Sequence, residues 1–477
     1  MSQTAQSHPA APRFAAAFAE RSDAYLEFDA DEAYALDPAA LDALKLAHAR
    51  RLFAKQRPLI DMIGRLADRE GIAEIGAFDD LVPLLLGHES YRSYPQTWLE
   101  GGDFTRMTKW LSKLVSKDLI SIDVSAAKTI EEWFAILARE AGMNVVICGA
   151  EGKATFLPRT YAERRAFYKA MYWSYNDTIR TVIGDDAALR PGVDRVPLVH
   201  PGARTGSRTS QLFLDLYTEL FGEGLVDTAL GHSDADLISL AGRIRAASAQ
   251  GEAAAVQIGA ELSARKEQIA RTNAENAAGK KAQIERLLTD YLGKRIIYYG
   301  TMQGLYDLAQ ALSARGQVGY TPDSFFICGG GFAGGKTPDR WRETTAEALG
   351  TRPENIIASY GVIEGLFLMT SCPAGKYHVP VALVPFLLDE ETDEPLPRSG
   401  RQTGRFAFYD LTAEDSWGGF ITPDRLTIEW DGGCACGRKG AYCEPVIQRV
   451  PDTGNDKIGC AGTTLALEEA TDFIIRS

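Results

Sequence analysis

The sequence lacks the features that mark membrane-spanning and secreted chains. No apolar run approaches the roughly 20 residues that a transmembrane helix needs, and residues 1–13 contain no apolar signal region. Seven cysteines, an odd number spread over 477 residues, do not form the pattern of a disulfide framework. The sequence therefore predicts a cytoplasmic protein without a membrane span.

Positive charge and histidine are scarce as well. The net charge of −13 argues against a nucleic-acid-binding protein, because such proteins normally present a basic face. None of the six histidines lies in a motif typical of a catalytic triad or of a zinc protease. The remaining composition, 45% hydrophobic and 24% charged, is typical of a globular protein, and 477 residues leave room for two or three domains.

The stretch most suited to binding a ligand begins with a strand that ends in glycines. The apolar run 325–328 predicts a buried strand, which three consecutive glycines stop. Residues 338–349 have a helical pattern, and residues 356–358 predict a second short strand. This order of strand, glycine turn, helix and strand is a βαβ-like unit, and ligands bind in open α/β sheets where strands end in such turns.

The residues that follow the second strand suit a flat ring and a cation. Ser359, Tyr360 and Gly361 come directly after it, and Glu364 lies three residues further along. A glycine lets a flat ring approach the backbone, and Tyr360 can stack on that ring. The Glu364 carboxylate can hold a cation.

A second candidate site lies where a short apolar strand runs into a loop that contains a lysine. Backbone N–H groups and a cation hold phosphates in such loops. The residues suited to this role are Gly149, Gly152, Lys153 and Thr155.

Together these motifs resemble the adenylate-forming superfamily of acyl-CoA synthetases, adenylation domains and luciferases. Tyr360 and Glu364 match its Tyr-Gly-x-x-Glu signature. The superfamily's adenine-binding glycines correspond to Gly329, Gly330 and Gly331. The resemblance covers about residues 80–460 and rests on three dispersed motifs in the correct order.

The phosphate loop departs from the superfamily's pattern, which is usually rich in serine and threonine. Cys148, Ala150 and Glu151 stand where hydroxyl residues are usual. Hydroxyls would donate to phosphate oxygens, whereas Glu151 adds a like charge. The loop composition therefore weakens the case for tight ATP binding.

A third stretch supplies the carboxylate that the superfamily places on the ribose hydroxyls. Thr422-Pro423-Asp424 resembles its Thr-Gly-Asp strand end, with proline where glycine or arginine is usual. Asp410 is the competing candidate, and we favour Asp424 with Arg449 nearby.

Cys372 and His378 form a candidate zinc site with Cys434 and Cys436. Thiolates and an imidazole in two paired positions suit tetrahedral Zn²⁺. Free buried cysteines are the alternative, and Cys443 can replace any one of the four ligands. The Cys-x-Cys-Gly-Arg element is a feature of the phenylacetate–CoA ligase branch. The helical opening and the lysine loop look closer to the acyl-protein synthetase of bacterial luminescence.

We expect an α/β protein with an adenylate-forming large-domain fold in three parts. Residues 1–110 form a helical N-terminal region and residues 111–450 the adenylation core. Residues 451–477 are the remnant of a C-terminal domain.

Three further stretches carry no motif. Residues 233–290 predict an insertion of two or three amphipathic helices, broken near Gly251 and Gly279. These helices either form a lid or docking element or, as we favour, pack on the body. The polar and aromatic segment 87–95 either lines a pocket or is a well-packed loop, and His48 lies on a charged face that predicts a solvated side chain.

The resemblance implies an ATP-dependent ligase that converts a carboxylic acid into an acyl-adenylate and pyrophosphate. Lys153 and Thr155 would hold phosphates, and Glu364 would hold Mg²⁺. The acyl-protein synthetase passes its acyl group to a cysteine near its own C-terminus, and Cys460 can match it. Lys457 lies three residues before that cysteine, and a neighbouring cation favours the thiolate form.

The acyl acceptor is then a protein cysteine or another nucleophile, either on a partner protein or on a small molecule. Two other functions stay open. One is an aryl-CoA ligase of the phenylacetate–CoA ligase type. The other is a nucleotide-binding or scaffold protein that kept the fold and lost catalysis.

Overall fold

The computed structural model describes residues 11–148, 153–206, 209–249, 263–330, 332 and 337–450. The α-helices, in chain order, are α1 (Ala11–Glu20), α2 (Ala30–Ala33), α3 (Pro38–Gln56), α4 (Asp61–Glu70), α5 (Gln96–Glu100), α6 (Phe104–Leu111), α7 (Ile130–Ala141), α8 (Tyr161–Thr178), α9 (Thr209–Phe221), α10 (Ala235–Ala249), α11 (Lys266–Leu287), α12 (Met302–Ala314) and α13 (Trp341–Leu349). Short 3-10 helices lie at Ser22–Glu27, Phe78–Leu84, His88–Arg92, Ser112–Leu114, Asp185–Ala187 and Pro353–Asn355, and a π-helical turn lies at Ile179–Ile183.

Fourteen strands are present in the described ranges. They are β1 (Met143–Cys148), β2 (Thr155–Thr160), β3 (Leu198–Gly206), β4 (Val226–Ser233), β5 (Ile297–Thr301), β6 (Phe325–Gly329), β7 (Ile356–Tyr360), β8 (Met369–Thr370), β9 (Tyr377–His378), β10 (Leu383–Leu388), β11 (Arg401–Asp410), β12 (Gly419–Glu429), β13 (Tyr442–Cys443) and β14 (Gln448–Arg449). The predicted strands at 325–328 and 356–358 are β6 and β7, and the predicted helix at 338–349 is α13.

The larger α/β unit is a mixed sheet in the order β4-β3-β5-β6-β7-β8. All its pairs are parallel except β7 with β8, which is antiparallel. Apolar side chains alternate between its faces, so that Phe325 and Ile357 pack with α8 and α9. On the other face, Phe326 and Ile356 pack with α11, α12 and α13. Helices on both faces are what a mainly parallel sheet requires, since both of its sides are apolar.

The second large sheet is antiparallel, in the order β10-β11-β12-β13-β9, and β14 also pairs with β12. Its apolar side chains, Phe386, Phe406 and Phe408 among them, share one core with the N-terminal helices. The hairpin β1–β2, which sets Cys148 opposite Thr155, packs into the same core. This arrangement brings the ends of the mixed sheet and of the antiparallel sheet together.

The predicted break at Gly279 is wrong, because α11 runs through this residue. A Cβ atom at Gly279 would lie 2.4 Å from the backbone oxygen of Ala229 in β4. Glycine is therefore required for close packing of α11 on the edge strand rather than for a turn. The second predicted break, at Gly251, lies outside the described residues. Arg286 also ties α11 to β4 through Asp227, with a shortest N–O distance of 2.6 Å.

The prediction that His48 is solvated is also wrong. His48 is buried, its Nε2 contacts the backbone oxygen of Phe18, and its ring packs edge-on against the Phe18 ring. Helices α1 and α3 meet at this contact, which periodicity within one helix does not reveal. In the part of the chain that the structure describes, no helix is long and apolar enough to cross a membrane.

Candidate active site and metal centre

Tyr360 and Asp424 meet where the two large sheets converge. Tyr360 is the last residue of β7, and its hydroxyl donates a 3.0 Å hydrogen bond to Oδ2 of Asp424 in β12. Asp424 pairs in register with Arg449 of β14, whose Nε lies 3.3 Å from Oδ1. Burial raises the pKa of Asp424, whereas the Arg449 guanidinium and the Tyr360 hydroxyl oppose that rise. The arrangement holds one buried carboxylate in a defined orientation at the end of β7.

Asp410, the competing carboxylate, is already satisfied within the protein. It is buried and accepts hydrogen bonds from the backbone N–H groups of Leu366 (2.8 Å) and Thr412 (2.9 Å). The Thr412 hydroxyl donates a third bond of 2.6 Å. These contacts make Asp410 a structural residue, which leaves Asp424 as the better candidate for contacting a ligand.

Glu364 lies four residues beyond Tyr360 and is only 5% exposed. Its Oε1 is 3.2 Å from Nδ1 of His88. Burial raises the pKa of Glu364 to about 7, and the Arg159 guanidinium opposes this rise. A carboxylate that holds its proton near neutral pH is typical of functional sites. A single buried carboxylate also fits the usual way of holding Mg²⁺, which is bound by one or two carboxylates together with substrate phosphates.

A buried ionic framework fixes the backbone at Glu364. The Arg159 guanidinium donates to the backbone oxygen of Glu364 and to Oγ of Ser416. Oε1 of Glu163 in turn accepts from the backbone N–H groups of Asp415 (2.9 Å) and Ser416 (2.8 Å). Strand β2, helix α8 and the β11–β12 connection are thereby locked around Glu364.

The sequence did not reveal the roles of His88 and Arg159. The polar and aromatic character of segment 87–95 drew attention to His88, whereas no local pattern in the sequence distinguishes Arg159. Their importance follows from contacts between residues that are far apart in the chain. The segment 87–95 both packs well and contributes to the site, because its Tyr94 is fully buried while His88 contacts Glu364.

Lys153 lies against the N-terminal region. Its Nζ donates to the backbone oxygen of Tyr94 and lies 4.3 Å from the centroid of the Tyr94 ring. Burial lowers the pKa of Lys153. Thr155 is buried in β2, while Gly149 and Gly152 lie outside the described residues. The described part of the loop therefore places the lysine beside the 3-10 helix that carries His88.

The described residues leave the glycines at the end of β6 uncrowded. A Cβ atom added at Gly329 or at Gly330 would meet no heavy atom of the described residues within 4 Å, and Gly330 has a φ angle of 72°. Gly361 differs, because a Cβ there would lie 3.1 Å from the backbone oxygen of Phe367. Gly331 lies outside the described residues. Ser359 pairs with Thr370 of β8, so strand β8 covers this side of β7. The space that a flat ring can enter therefore lies at the end of β6.

Cys372, His378, Cys434 and Cys436 come together as the sequence predicted. Their ligand atoms all lie within 4.8 Å of one another. Sγ of Cys372 is 3.9 Å from Sγ of Cys434, and Nε2 of His378 is 3.1 Å from Sγ of Cys436. Sulfur ligands at about 2.3 Å from a tetrahedral zinc lie about 3.8 Å apart, so this buried donor set fits Zn²⁺. Cys443 is buried in β13 and is not a member of the group.

Two turns shape this Cys/His cluster. The backbone oxygen of Cys372 accepts from the N–H of Gly375 (2.8 Å), and that of Cys434 accepts from Gly437 (2.9 Å). The first turn joins β8 of the mixed sheet to β9 of the antiparallel sheet, and the second leads from β12 towards β13. The cluster therefore lies where the two sheets are joined.

No protein-family model matches the chain, and no curated protein matches it. The solved structure of a 2-hydroxyisobutyryl-CoA ligase with 2-HIB-AMP and CoA in its thioesterification state is similar, with a TM-score of 0.50 and 14% identity over 87% of this chain and 69% of that chain. An open conformation of that ligase has a TM-score of 0.48 and 13% identity over 87% of this chain and 76% of that chain.

A long-chain-fatty-acid–CoA ligase from Archaeoglobus fulgidus has a TM-score of 0.36 and 11% identity over 64% of this chain and 51% of that chain. At such identities the similarity concerns the fold alone. The protein thus has an α/β fold with a mixed, mainly parallel sheet, and it resembles the large domain of adenylate-forming acyl-CoA ligases.

Proposed function

We propose that this protein uses ATP to activate a carboxylic acid as an acyl-adenylate. The substrate carboxylate attacks the α-phosphorus of ATP, a new C–O–P linkage forms, and pyrophosphate leaves. The observation that carries the proposal is the Tyr360–Asp424 hydrogen bond at the end of β7, close to a buried Glu364. The likeness of the fold to acyl-CoA ligases supports it.

The nucleotide is held by groups at the ends of β6 and β7. The adenine ring lies on Gly329, Gly330 and Gly331 and against Tyr360, and the open space beside the first two glycines supports this placement. Asp424 accepts hydrogen bonds from the ribose hydroxyls, and its contact with Arg449 orients the carboxylate. The phosphates are held by Gly149, Gly152, Lys153 and Thr155.

Glu364 would hold Mg²⁺ in this proposal, and the bound ion would supply positive charge against the charge on the transferring phosphate. His88 is the group that competes for the same carboxylate, because its Nδ1 lies 3.2 Å from Oε1. His88 would therefore have to move away from the carboxylate when the metal binds. Arg159 keeps the Glu364 backbone in place throughout, since it donates to the backbone oxygen rather than to the carboxylate.

Zn²⁺ has a structural role in the proposal. Three thiolates and one imidazole leave no open position for a substrate on a tetrahedral ion. The buried cluster therefore joins the two large sheets and takes no part in the reaction.

The acyl group then passes to a thiol, for which we propose Cys460. Its thiolate attacks the acyl carbonyl, a C–S bond forms, the bond to the phosphate oxygen breaks, and AMP leaves. Cys460 lies outside the described residues, and the proposal rests on its sequence context with Lys457.

Pyrophosphate release in the presence of ATP and a panel of fatty, aryl and amino acids tests the activation step. The accepted acid, carrying a label, then tests the transfer step. We expect hydroxylamine-labile label on the protein, absent from Cys460→Ser, which should still release pyrophosphate. A wild type that releases pyrophosphate but carries no label would indicate that the acyl acceptor is a partner protein or a small nucleophile. Absence of pyrophosphate release with every acid would overturn the activation step.

An aryl-CoA ligase is a second candidate, favoured by the Cys-x-Cys-Gly-Arg element that contributes two residues to the Cys/His cluster. An aryl acid would then be converted to its CoA thioester when CoA is added to the assay. Formation of that thioester, with no label on the protein, would select this function.

A catalytically inactive nucleotide-binding homologue is a third candidate. The loop residues Cys148, Ala150 and Glu151 favour it, and so does the contact of Lys153 with the backbone of Tyr94. Binding of ATP without pyrophosphate release for any acid would select it.

A further inference from the structure

A surface groove with a volume of about 970 Å³ lies between α4 and α6. None of the described residues that we propose to bind the nucleotide lines it. It shares the 3-10 helix His88–Arg92 with the candidate active site. Ser90 of this helix lines the groove, and His88 of the same helix contacts Glu364. An occupant of the groove is therefore held next to the site where the acyl-adenylate would form.

The walls of the groove carry an excess of positive charge, with five cationic side chains against the one carboxylate of Asp61. Arg65 and Arg69 lie one turn apart on α4, and Lys109 and Lys113 lie four residues apart on the opposite wall, beyond Arg106. Each arginine has an exposed carboxylate partner, whereas the two lysines have no ion-pair partner among the described residues. Exposed ion pairs are weak and are readily exchanged. In a protein with a net charge of −13, this groove is thus a local site for negative charge.

The floor of the groove is apolar. It is formed by Met62, Leu66, Leu85, Leu86, Trp98 and Trp110. A segment with one apolar face and acidic residues beside it matches such a groove, because helices with this pattern bind in grooves through anchors spaced three or four residues apart.

The chain itself contains one such segment at residues 463–477, which lies outside the described residues. Its sequence has the pattern typical of an amphipathic helix. Five of its seven apolar residues recur at three- or four-residue spacing, and they are Ala466, Leu467, Ala470, Phe473 and Ile474, whereas Leu465 and Ile475 fall on the other face of such a helix. The acidic residues fall between them, and they are Glu468, Glu469 and Asp472.

The segment is close enough in the chain to reach the groove. Leu86 in the groove floor forms a parallel bridge with Phe420 of β12. Asp424, which pairs with Arg449, lies four residues further along this strand, or about 13 Å. Residues 451–462 can span up to about 40 Å when extended, so they suffice to connect Arg449 with an occupant of the groove.

We propose that residues 463–477 bind in this groove and so hold Cys460 beside the candidate active site. The tether makes the contact intramolecular, which raises the local concentration of the segment to the millimolar range. The groove then anchors the carrier of the acyl group. This last role rests on the proposed function, whereas the binding of the segment does not.

Backbone hydrogen exchange on the full chain, without ATP, tests the binding. We expect the amides of residues 463–477 to exchange about tenfold more slowly than those of a free peptide of the same sequence. Lys109→Glu combined with Lys113→Glu should abolish this protection. Lys280→Glu combined with Lys281→Glu, which makes the same charge change on exposed residues of α11, should keep it. Equal exchange in the wild type and the free peptide, or equal losses in both variants, would overturn the proposal.

Charge exchange provides a second test. Glu468→Lys with Glu469→Lys should lose the protection in the wild-type background and regain it when combined with Lys109→Glu and Lys113→Glu. Failure of the combined variant to regain protection would contradict direct contact. If the proposed function holds, labelling of Cys460 should fall about tenfold in Lys109→Glu/Lys113→Glu while pyrophosphate release is unchanged. Protection that depends on the groove, in a chain with no pyrophosphate release, would support the binding and overturn the proposed function alone.

Discussion

The Tyr360 hydroxyl donates a hydrogen bond of 3.0 Å to Oδ2 of Asp424, and this contact joins β7 of the mixed sheet to β12 of the antiparallel sheet. Both residues are largely buried, with 7% and 8% exposure. Two buried partners in a rigid frame hold their geometry before a ligand arrives, so less ordering is needed on binding. The contact therefore presents Asp424 in one orientation at the end of β7.

Asp424→Asn should raise the KM for ATP by roughly 10- to 100-fold, because a hydrogen bond to a charged group contributes about 1.5–3 kcal/mol. Asp410→Asn is the matched control. It should leave the KM for ATP unchanged and lower the free energy of unfolding by about 1–3 kcal/mol, since Asp410 accepts three internal hydrogen bonds. Initial rates of pyrophosphate release and urea denaturation measure the two effects. The reverse pattern would assign the ribose to Asp410.

Glu364→Gln should lower the rate of pyrophosphate release at least 100-fold, because loss of a charged metal ligand costs several kcal/mol in the transition state. The fold should persist, since burial raises the pKa of Glu364 to about 7 and the neutral form is already populated near neutral pH. Glu89→Gln, on the same 3-10 helix as His88, is the control and should keep its activity. Wild-type rates in Glu364→Gln would exclude this residue as the metal ligand.

The purified protein should contain about one zinc per chain if the Cys/His cluster is a closed site. Cys434→Ser should lose this zinc and unfold at a lower temperature. Cys443→Ser alters a buried cysteine outside the cluster, and this variant should keep the zinc. Elemental analysis and thermal unfolding are the measurements. Protein that carries no metal, although never exposed to a chelator, would contradict the site.

Lys45 gives a prediction about pH. Burial lowers the pKa of this lysine from 10.5 to about 8, and its Nζ donates a 2.9 Å hydrogen bond to the Leu383 backbone oxygen. Between pH 8 and 10.5 the unfolded chain holds this proton more firmly than the folded one, so the lysine's contribution to stability rises with pH. Below pH 8 the lysine is charged in both states, and the free energy of unfolding is lowered by the full cost of burying that charge.

The free energy of unfolding of the wild type should therefore rise, relative to Lys45→Met, by about 3 kcal/mol between pH 7 and pH 10.5. Chemical denaturation at these two pH values measures the difference. A difference that does not change with pH would show that Lys45 titrates as an exposed lysine.

Local sequence patterns were sufficient to predict several elements. Apolar runs ended by glycine or followed by Tyr-Gly predicted β6 and β7, and the ligand types in two cysteine-containing pairs predicted the Cys/His cluster. For the strands, the information lies within a few residues, because strand periodicity and turn chemistry are local properties. The cluster joins Cys372 to Cys434 across 62 positions, and it was predicted from the chemistry of its ligands. The choice of Asp424 over Asp410 stays a prediction, although the internal hydrogen bonds of Asp410 favour it.

Local sequence patterns did not predict the contacts between segments that are distant in the chain. His88 contacts Glu364, and two residues before it Leu86 forms a bridge with Phe420 of β12, so this part of the site depends on pairing between distant segments. Gly279 has the same local signal as a helix break, yet its function is to let α11 approach β4. The residue type glycine indicates which backbone conformations and close contacts are possible. Which of these Gly279 provides depends on the strand that packs against it.

The order of strands in the antiparallel sheet has a consequence for synthesis on the ribosome. Strand β9 leaves the ribosome before β10, β11 and β12, yet it lies at the edge of their sheet, paired with β13. The mixed sheet is complete once β8 has emerged, and N-terminal parts of a chain generally fold first. Premature termination before Cys434 therefore releases a chain in which Cys372 and His378 lack their two thiol partners.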